Sequence, residues 1–191
     1  MTSSNITQLV ILDRDGVINH DSDAYIKSAE EWNAIPGSLE AIAKLSKAGF
    51  SIGVATNQSG LGRGLFDLDD LEAMHAKMVD GVTDFGGEIT GIFYCPHHPD
   101  EDCNCRKPRT GLVDAMESEF GIAAKGAPFV GDNLKDLQTG LAKGCVPILV
   151  RTGKGEHYAD NLPDDVRAKT TIVADLAEAA DYILKHFSVS N

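Results

Sequence analysis

The stretch Leu9-Val10-Ile11-Leu12-Asp13-Arg14-Asp15-Gly16-Val17 decides the fold of this 191-residue chain. Its four leading apolar residues predict a strand that is buried on both faces, the usual state in a parallel sheet. Two carboxylates then end the strand, and Gly16 lets the chain turn. In open α/β sheets this carboxyl edge is where ligands bind. Because two such close acids repel each other, either a cation lies between them or one keeps its proton. An isolated Asp-x-Asp can also be a solvated turn.

Composition limits the possible partners. The net charge of −12 and the pI of about 4.8 argue against a nucleic acid or an anionic membrane surface as partner. A phosphate-bearing ligand therefore needs a local cluster of positive charge or a metal ion. No segment has the ~20 consecutive apolar residues of a membrane span, and crowded cysteines without a disulfide framework suit the cytoplasm. We expect a single domain over 1–191, with a flexible tail at 1–7 and no oligomeric partner.

The rest of the chain alternates strand and helix patterns. This alternation predicts an α/β fold, a doubly wound (Rossmann-like) parallel sheet of five or six strands with helices on both faces. The predicted strands after the first are 50–55, 89–94, 128–131 and 146–150. The predicted helices are 38–48, 68–82 with Asp67 as its cap, 112–120, 134–143 and 174–187. The segment from Gly153 to Thr171 has no clear pattern.

Polar residues stand at the ends of the later strands as well. Thr56-Asn57-Gln58-Ser59 follows the second strand, Lys107 precedes a later helix, and Gly131-Asp132 follows the fourth strand with Asp136 four residues on. Because carboxyl ends of parallel strands share one edge, these side chains are expected to meet Asp13 and Asp15. They would bring together a nucleophile, an acid/base, phosphate-binding groups and a metal ligand.

This ordered set, over residues 9–151, resembles the haloacid dehalogenase superfamily of phosphotransferases. The resemblance implies that Asp13 is the nucleophile and Asp15 the acid/base. It also implies that Thr56 and Lys107 bind the transferring phosphoryl group. The resemblance further implies that Mg²⁺ is held by the Asp13 carboxylate, the Asp15 backbone carbonyl and Asp132, with Asp136 behind them. Such hard oxygen ligands suit this cation.

Receiver domains of signalling pathways share some of these features. In them, however, the phosphorylated aspartate ends a later strand. The third predicted strand here ends in Tyr94-Cys95, without an aspartate, which argues against a receiver domain.

A second constellation is the cysteine-rich segment after the third strand. Cys95, His97, Cys103 and Cys105 form a Cys-x-His…Cys-x-Cys frame, which suits tetrahedral Zn²⁺. His98 is an alternative ligand to His97, and reduced surface cysteines are the simpler alternative. Four protein ligands leave no open position, so the predicted site is structural.

The zinc loop leads directly into two cations. Arg106 and Lys107 follow Cys105, so zinc would order the loop that presents them to a phosphate. The 42 residues between Asp13 and Thr56, positions 14–55, leave no room for a large cap domain. We therefore expect the zinc loop to form a partial wall over an open site that takes a small sugar-like phosphate.

Two zinc-bearing, capless families of the superfamily are similar to this chain. Residues 56–64, 94–99 and 149–154 resemble the D-glycero-D-manno-heptose 1,7-bisphosphate 7-phosphatase family. The five-residue spacer between His97 and Cys103 resembles the histidinol phosphatase family, and Asn133 departs from the lysine common in the heptose family. The resemblance implies an Mg²⁺-dependent phosphatase of nucleotide-activated heptose synthesis, for lipopolysaccharide core or surface glycans. Histidinol phosphatase and an inactive zinc-organised binding module are the alternatives.

The family resemblance and the loop composition also nominate substrate contacts. Three glycines around Arg63 would let it approach a ligand, such as the phosphate that is not cleaved, although an exposed loop arginine fits equally well. The full set of expected contacts is Asp21, Tyr25, Asn57, Gln58, Ser59, Arg63, Arg106 and Asn133.

Overall fold

Six parallel strands form the central sheet across residues 5–189, the part of the chain that this computed structural model describes. In chain order the strands are β1 (Asn5–Ile6), β2 (Leu9–Leu12), β3 (Ser51–Asn57), β4 (Gly91–Cys95), β5 (Pro128–Gly131), β6 (Val146–Val150), β7 (Thr171–Val173) and β8 (Phe187–Ser188). The central sheet has the order β4-β3-β2-β5-β6-β7. The predicted doubly wound parallel sheet is confirmed.

Helices cover both faces of this sheet. They are α1 (Ser38–Lys47), α2 (Ser59–Gly62), α3 (Leu68–Asp84), α4 (Gly111–Phe120), α5 (Leu134–Ala142), α6 (Gly155–Asn161), α7 (Asp164–Arg167) and α8 (Leu176–His186). Alternate residues of β2 point to opposite faces. Val10 and Leu12 pack in the cluster that holds α1, α3 and α8, while Leu9 and Ile11 pack with α4. This explains why all four residues of β2 are apolar and fully buried.

The strand order reverses beside β2. The chain passes from β2 to β3 and β4 on one side, then returns to β5 on the other side of β2. Such a reversal opens a crevice at the carboxyl ends of the two strands that flank it. Asp13 follows β2 and Asp132 follows β5, and the Asp13 amide donates to Val130 O at 2.9 Å. The fold therefore places two of the predicted site acids at the topological switch point.

Several element predictions need correction. The expected flexible tail at 1–7 begins in residues 1–4, which lie outside the described residues, but Asn5–Ile6 pairs in parallel with Phe187–Ser188. Helices α2, α6 and α7 and strand β7 were not predicted. The segment from Gly153 to Thr171 therefore carries two short helices. The predicted Asp67 cap is confirmed, since its side chain accepts from the Asp70 amide at 3.0 Å.

Within the described residues, none of the helices has the length and apolar character needed to cross a membrane.

Candidate active site and zinc site

A cavity of about 260 Å³ lies at the carboxyl edge of the sheet. It brings together most of the predicted catalytic, metal and substrate residues. Its lining comprises Asp13, Asp15, Asp21, Ser22, Asp23, Tyr25, Ile26, Thr56, Asn57, Gln58, Ser59, Arg106, Lys107, Asp132, Asn133, Lys135, Asp136 and Lys154. Among the predicted site residues outside the zinc frame, only Arg63 is absent from this lining.

Asp13 is held by one of its two carboxylate oxygens. Its Oδ1 accepts from the Arg14 amide at 2.7 Å and lies 2.9 Å from Lys107 Nζ. Its Oδ2 has no hydrogen-bond donor among residues 5–189. Fixed donors thus orient the carboxylate through Oδ1 and leave Oδ2 without a described partner, which is the arrangement a nucleophile needs.

Lys107 is a buried cation, 2% exposed. Its ammonium contacts Asp13 Oδ1 at 2.9 Å, Asp136 Oδ1 at 2.6 Å and Ala55 O at 2.7 Å. Burial opposes the charge, but Asp13 and Asp136 outweigh it and raise the pKa of Lys107. Since three partners match its three N–H donors, Lys107 first orients and neutralises Asp13.

Asp13, Asp132 and Asp136 form a buried group in which one carboxylate oxygen from each residue lies within 4.8 Å of the other two. Burial and the neighbouring acids raise the pKa of Asp13, against the opposing charge of Lys107. Burial and Asp136 likewise raise the pKa of Asp132 to about 7. Because ionised oxygens so close together need a cation, this donor set fits a hard divalent metal such as Mg²⁺.

Asp136 already uses both oxygens on protein partners. Its Oδ1 pairs with Lys107, and its Oδ2 accepts from the Asn133 amide at 3.1 Å within the capping box of α5. Asp132, in contrast, uses its Oδ2 on the Lys154 amide at 2.8 Å. Among the described residues, Asp132 therefore keeps one oxygen free of protein partners and Asp136 does not, which is compatible with the prediction that Asp132 is the direct ligand and Asp136 lies behind it.

The loop after β6 packs against the group formed by Asp13, Asp132 and Asp136. The Thr152 hydroxyl donates to Gly16 O at 2.6 Å. Gly153 lies so close to Gly16 and to the Asp132 carboxylate that a side chain at residue 153 would overlap both. The glycines thus permit the close approach that lets Lys154 N bind Asp132.

Asp15 lies in a separate hydrogen-bond network. Arg14 binds its two oxygens through Nη2 at 2.9 and 3.1 Å, Asn19 Nδ2 donates at 2.9 Å, and Gln58 Nε2 donates at 2.9 Å. Burial would raise the pKa of Asp15, but the Arg14 charge and these hydrogen bonds outweigh it and lower the pKa. The two aspartates of the opening motif therefore have opposite electrostatic environments.

Thr56 is positioned by Gln58. The Thr56 hydroxyl accepts from Gln58 Nε2 at 2.8 Å, so its own proton remains available for a phosphoryl oxygen. Gln58 Oε1 in turn accepts from Arg14 Nη2 at 3.2 Å. Although Gln58 lines the cavity, its amide is committed to Arg14, Asp15 and Thr56.

Two other expected substrate contacts serve the protein instead. Asn57 Oδ1 accepts from the Lys107 amide at 3.0 Å, and Asn57 Nδ2 donates to Lys107 O at 3.2 Å. Asn133 caps α5, since its Oδ1 accepts from the Lys135 amide at 3.1 Å. Both line the cavity, but these bonds make their main role the placement of Lys107 and of α5.

The remaining expected contacts lie around the cavity mouth. Asp21 Oδ2 is 3.5 Å from Lys154 Nζ. Tyr25 has a left-handed backbone with φ 65°, a strained conformation typical of functional loops. Arg63 lies over the Tyr25 ring, 6.0 Å from its centroid. Arg63 is thus a support of Tyr25 rather than part of the lining.

Arg106 has an unpaired donor. Its Nη1 is buried and has no partner among the described residues, although buried polar groups are nearly always hydrogen-bonded. Arg106 lines the cavity and also the adjacent depression formed with 99–103, Arg109 and Lys135. An anion at this boundary would satisfy it.

The predicted zinc ligands converge in space. Cys95 Sγ is 3.6 Å from Cys103 Sγ and 3.5 Å from His97 Nδ1, and His97 Nδ1 is 3.2 Å from Cys105 Sγ. A tetrahedral zinc ion with its usual bond lengths separates its ligand atoms by about 3.5–3.8 Å, so the four side chains fit zinc. His98 is outside the group and lies 3.3 Å from Asp100 instead.

The zinc loop does not form the expected wall. Of the segment 95–107, only Arg106 and Lys107 line the main cavity, whereas residues 21–26 contribute five of its lining residues. The loop is packed against the chain on two sides, because Gly62 adjoins the Pro96–His98 backbone and Gly111 adjoins Asn104. Zinc bound at this group would order the loop that carries Arg106 and Lys107 to the cavity.

Sequence reasoning missed Arg14, Lys135 and Lys154 as site residues. Arg14 stands between the two aspartates, and an arginine next to two acids at the end of a buried strand could have indicated a buried ion pair. Lys154 follows β6, the next strand after β5 at the same edge. The segment 149–154 contributed to the family resemblance, and its place at this edge could also have indicated Lys154 as a site residue.

Comparison with known proteins agrees with this geometry. The HAD-hydrolase-like family model matches residues 104–179. A Pseudomonas putida D-glycero-beta-D-manno-heptose-1,7-bisphosphate 7-phosphatase is 54% identical over 91% of this chain and 97% of its own length. The Bordetella bronchiseptica D,D-heptose 1,7-bisphosphate phosphatase, solved with magnesium and phosphate, superposes with a TM-score of 0.88 at 47% identity, covering 93% of this chain and 98% of its own. The Burkholderia thailandensis enzyme gives 0.71 at 42% identity, covering 93% and 98%.

The fold and the carboxylate site define a phosphoric monoester hydrolase of the haloacid dehalogenase type. The buried acids can hold a divalent metal ion, and the cysteine–histidine group can hold zinc. Within that class, the chain belongs to the D-glycero-beta-D-manno-heptose-1,7-bisphosphate 7-phosphatase family.

Proposed function

We propose that this protein removes the 7-phosphate of D-glycero-beta-D-manno-heptose 1,7-bisphosphate through an aspartyl-phosphate. The observation that supports it best is that Asp13 lines the cavity with its Oδ1 fixed by Arg14 N and Lys107, while its Oδ2 has no donor among the described residues. The beta configuration rests on the names of the relatives. The product would serve nucleotide-activated heptose synthesis, with a monomeric protein acting in the cytoplasm.

The first step transfers the phosphoryl group to the protein. Asp13 Oδ2 forms a bond to phosphorus as the bond from phosphorus to the C7 oxygen breaks, and Asp15 gives its proton to that oxygen. Thr56 donates its hydroxyl hydrogen to a phosphoryl oxygen, while Lys107 keeps Asp13 in line for attack. Bound Mg²⁺, held by Asp13, the Asp15 carbonyl and Asp132, supplies the charge that offsets the developing negative charge.

The second step returns the protein to its starting state. Asp15 takes a proton from water as the water oxygen bonds to phosphorus and the bond to Asp13 breaks, releasing inorganic phosphate. The pKa of Asp15 is lowered in the free protein by Arg14 and its hydrogen bonds, against the effect of burial, which suits this base role. A phosphate dianion beside Asp15 favours the protonated form instead, which suits the first step.

The second phosphate of the substrate calls for a cation away from Asp13. The unpaired Nη1 of Arg106 and the ammonium of Lys135 on the same lining are suited to this task. Lys135 follows Asn133 in the first turn of α5, so it supplies a lysine near the position where Asn133 departs from the family pattern.

Histidinol phosphate remains a second candidate because of the short spacer between His97 and Cys103. The test compares kcat/KM for the beta and alpha heptose bisphosphates and for histidinol phosphate. We expect kcat/KM for the beta heptose bisphosphate to exceed the value for each of the other two substrates by at least about tenfold, since each of those changes one contact between the substrate and a cation. A higher value for histidinol phosphate would reject the heptose assignment. Asp13→Asn should abolish turnover of every substrate, and a retained rate would reject the mechanism.

A further inference from the structure

The Arg14 side chain is buried, 1% exposed, and its guanidinium is held on several sides. Nε and Nη2 bind Asp15 Oδ1 at 3.1 and 2.9 Å, and Nη2 also donates to Gln58 Oε1 at 3.2 Å. The remaining terminal nitrogen, Nη1, lies 3.4 Å from His75 Nε2. A planar guanidinium bound along three edges has a fixed orientation.

His75 is set by its own helix. It belongs to α3, between the buried core residues Met74 and Met78, and its ring lies 5.9 Å from the Tyr94 ring. The imidazole is therefore anchored to the sheet through Tyr94 of β4 and to the core through α3. Unlike Gln58, His75 does not line the cavity.

The protonation state of His75 decides which hydrogen bonds its ring can make. Burial, then the nearby Arg14 charge, lower the pKa of His75 to about 4, against the weaker effect of Asp15. The ring is neutral at physiological pH, so it can accept one hydrogen bond. If Nε2 accepts from Arg14 Nη1, the ring proton is on Nδ1.

We propose that His75 is a positioning residue, which acts through Arg14 to hold the Asp15 carboxylate where it exchanges protons with the substrate. Its effect depends on the acceptor at Nε2 and not on the size of the ring. The proposal rests on the proposed function, because it assumes that Asp15 is the acid of the first step.

The test exploits the leaving group. A sugar alkoxide needs a proton to leave, whereas 4-nitrophenolate leaves without one, so misplacing the acid slows only the first kind of ester. His75→Leu removes the acceptor. His75→Gln keeps an acceptor at the position of Nε2. Met78→Leu, on the same face of α3, controls for altered packing.

We expect His75→Leu to slow release of the sugar in a single turnover of heptose bisphosphate by about tenfold, with KM changed less than about twofold. Release of 4-nitrophenolate from 4-nitrophenyl phosphate should stay within about twofold of the unaltered protein, because that step needs little acid catalysis. His75→Gln should recover most of the lost rate, and Met78→Leu should behave as the unaltered protein.

Equal losses on both substrates, or a His75→Gln protein as slow as His75→Leu, would overturn the proposal. If His75→Leu does not fold, His75→Met gives the same comparison with a longer side chain. If the unaltered protein does not hydrolyse heptose bisphosphate, the proposed substrate is wrong. The same four proteins are then compared on an alkyl phosphate that it does hydrolyse, so the role of His75 is still decided.

Discussion

Each aspartate of the opening motif, Asp13 and Asp15, is paired with a buried cation of its own. Lys107 neutralises Asp13 together with Asp136, and Arg14 neutralises Asp15. Because a buried ion is costly without a partner, each cation fixes the acid it serves. Burial and the neighbouring acids still raise the pKa of Asp13 despite Lys107, whereas Arg14 and the hydrogen bonds of Asp15 outweigh burial and lower the pKa of Asp15. Their repulsion, which the sequence left open, is relieved by separate cations even before a metal binds.

At the same scale, Gly153 should control the affinity for magnesium. Its φ is +59°, and a Cβ there would overlap the Asp132 carboxylate. We expect Gly153→Ala to weaken magnesium activation about tenfold, since it moves a carboxylate that binds the metal. The measurement is the Mg²⁺ concentration that gives half-maximal activity.

Gly121 offers a matched control for this substitution. Its φ is +65°, and a Cβ would meet nothing within 4 Å. Gly121→Ala and Gly153→Ala should therefore share a backbone cost of roughly 1 kcal/mol, and Gly153→Ala should lose more in Tm because its Cβ also overlaps Asp132 and Gly16. A Gly121→Ala protein with the same loss of magnesium affinity would show that strain alone, and not contact with Asp132, is responsible.

At the scale of elements, the sequence predicted the strands and helices that have a clear pattern of apolar residues. Strand β2 is recognisable because all four residues are buried, and α3 because its apolar residues recur at helical spacing. Strand β7 has three residues at the edge of the sheet, too few for a burial pattern. Likewise, α2 and α7 have four residues each, shorter than any reliable period.

The site was predictable to the same degree. Residues at strand ends share an edge, so Asp13, Thr56 and Asp132 could be brought together without a structure. Hydrogen bonds between distant loops could not be predicted in this way. The pairing of Lys154 with Asp132, or of Asn57 with Lys107, depends on the paths that the loops take. Asn57 and Asn133 line the cavity, and their hydrogen bonds to the backbone of Lys107 and Lys135 were not predictable from the sequence.

The zinc loop gives a prediction for a whole element. Cys105→Ser should lose most of the bound zinc, because four ligands are needed to close a structural site. Since Arg106 and Lys107 directly follow that ligand, we expect kcat/KM to fall by about tenfold or more. Elemental analysis should give about one zinc per unaltered chain.

Cys145→Ser is the control for that experiment. Cys145 is buried whereas Cys105 is half-buried, and the Cys145 Sγ donates to Ala124 O at 3.3 Å, away from the zinc group. Its serine variant should keep both zinc and activity. Full activity in a zinc-free Cys105→Ser protein would remove the loop-ordering role.

At the scale of the whole molecule, a chain of net charge −12 binds an anion by gathering its cations. Arg106, Lys107, Lys135 and Lys154 line one cavity, together with six aspartates. The four cations therefore give the substrate local contacts, but they do not by themselves offset the acids around them. A metal adds to the local field where Asp13, Asp132 and Asp136 meet.

The stability of the whole fold should also record the neutral His75. Its pKa is about 4 in the folded protein, against an ordinary value of 6.5. Between these values the unfolded chain binds more protons at His75 than the folded one, so this contribution to stability is present above pH 6.5 and is lost as the pH falls toward 4. At about 1.4 kcal/mol per pH unit, the loss approaches roughly 3 kcal/mol.

Denaturant unfolding of the unaltered protein and of His75→Gln at pH 7 and pH 4 isolates this contribution of His75, because the other titrating groups are common to both proteins. The difference in free energy of unfolding between the two proteins should shift in favour of His75→Gln at the lower pH, and a constant difference would mean that His75 is accessible to protons in the folded state.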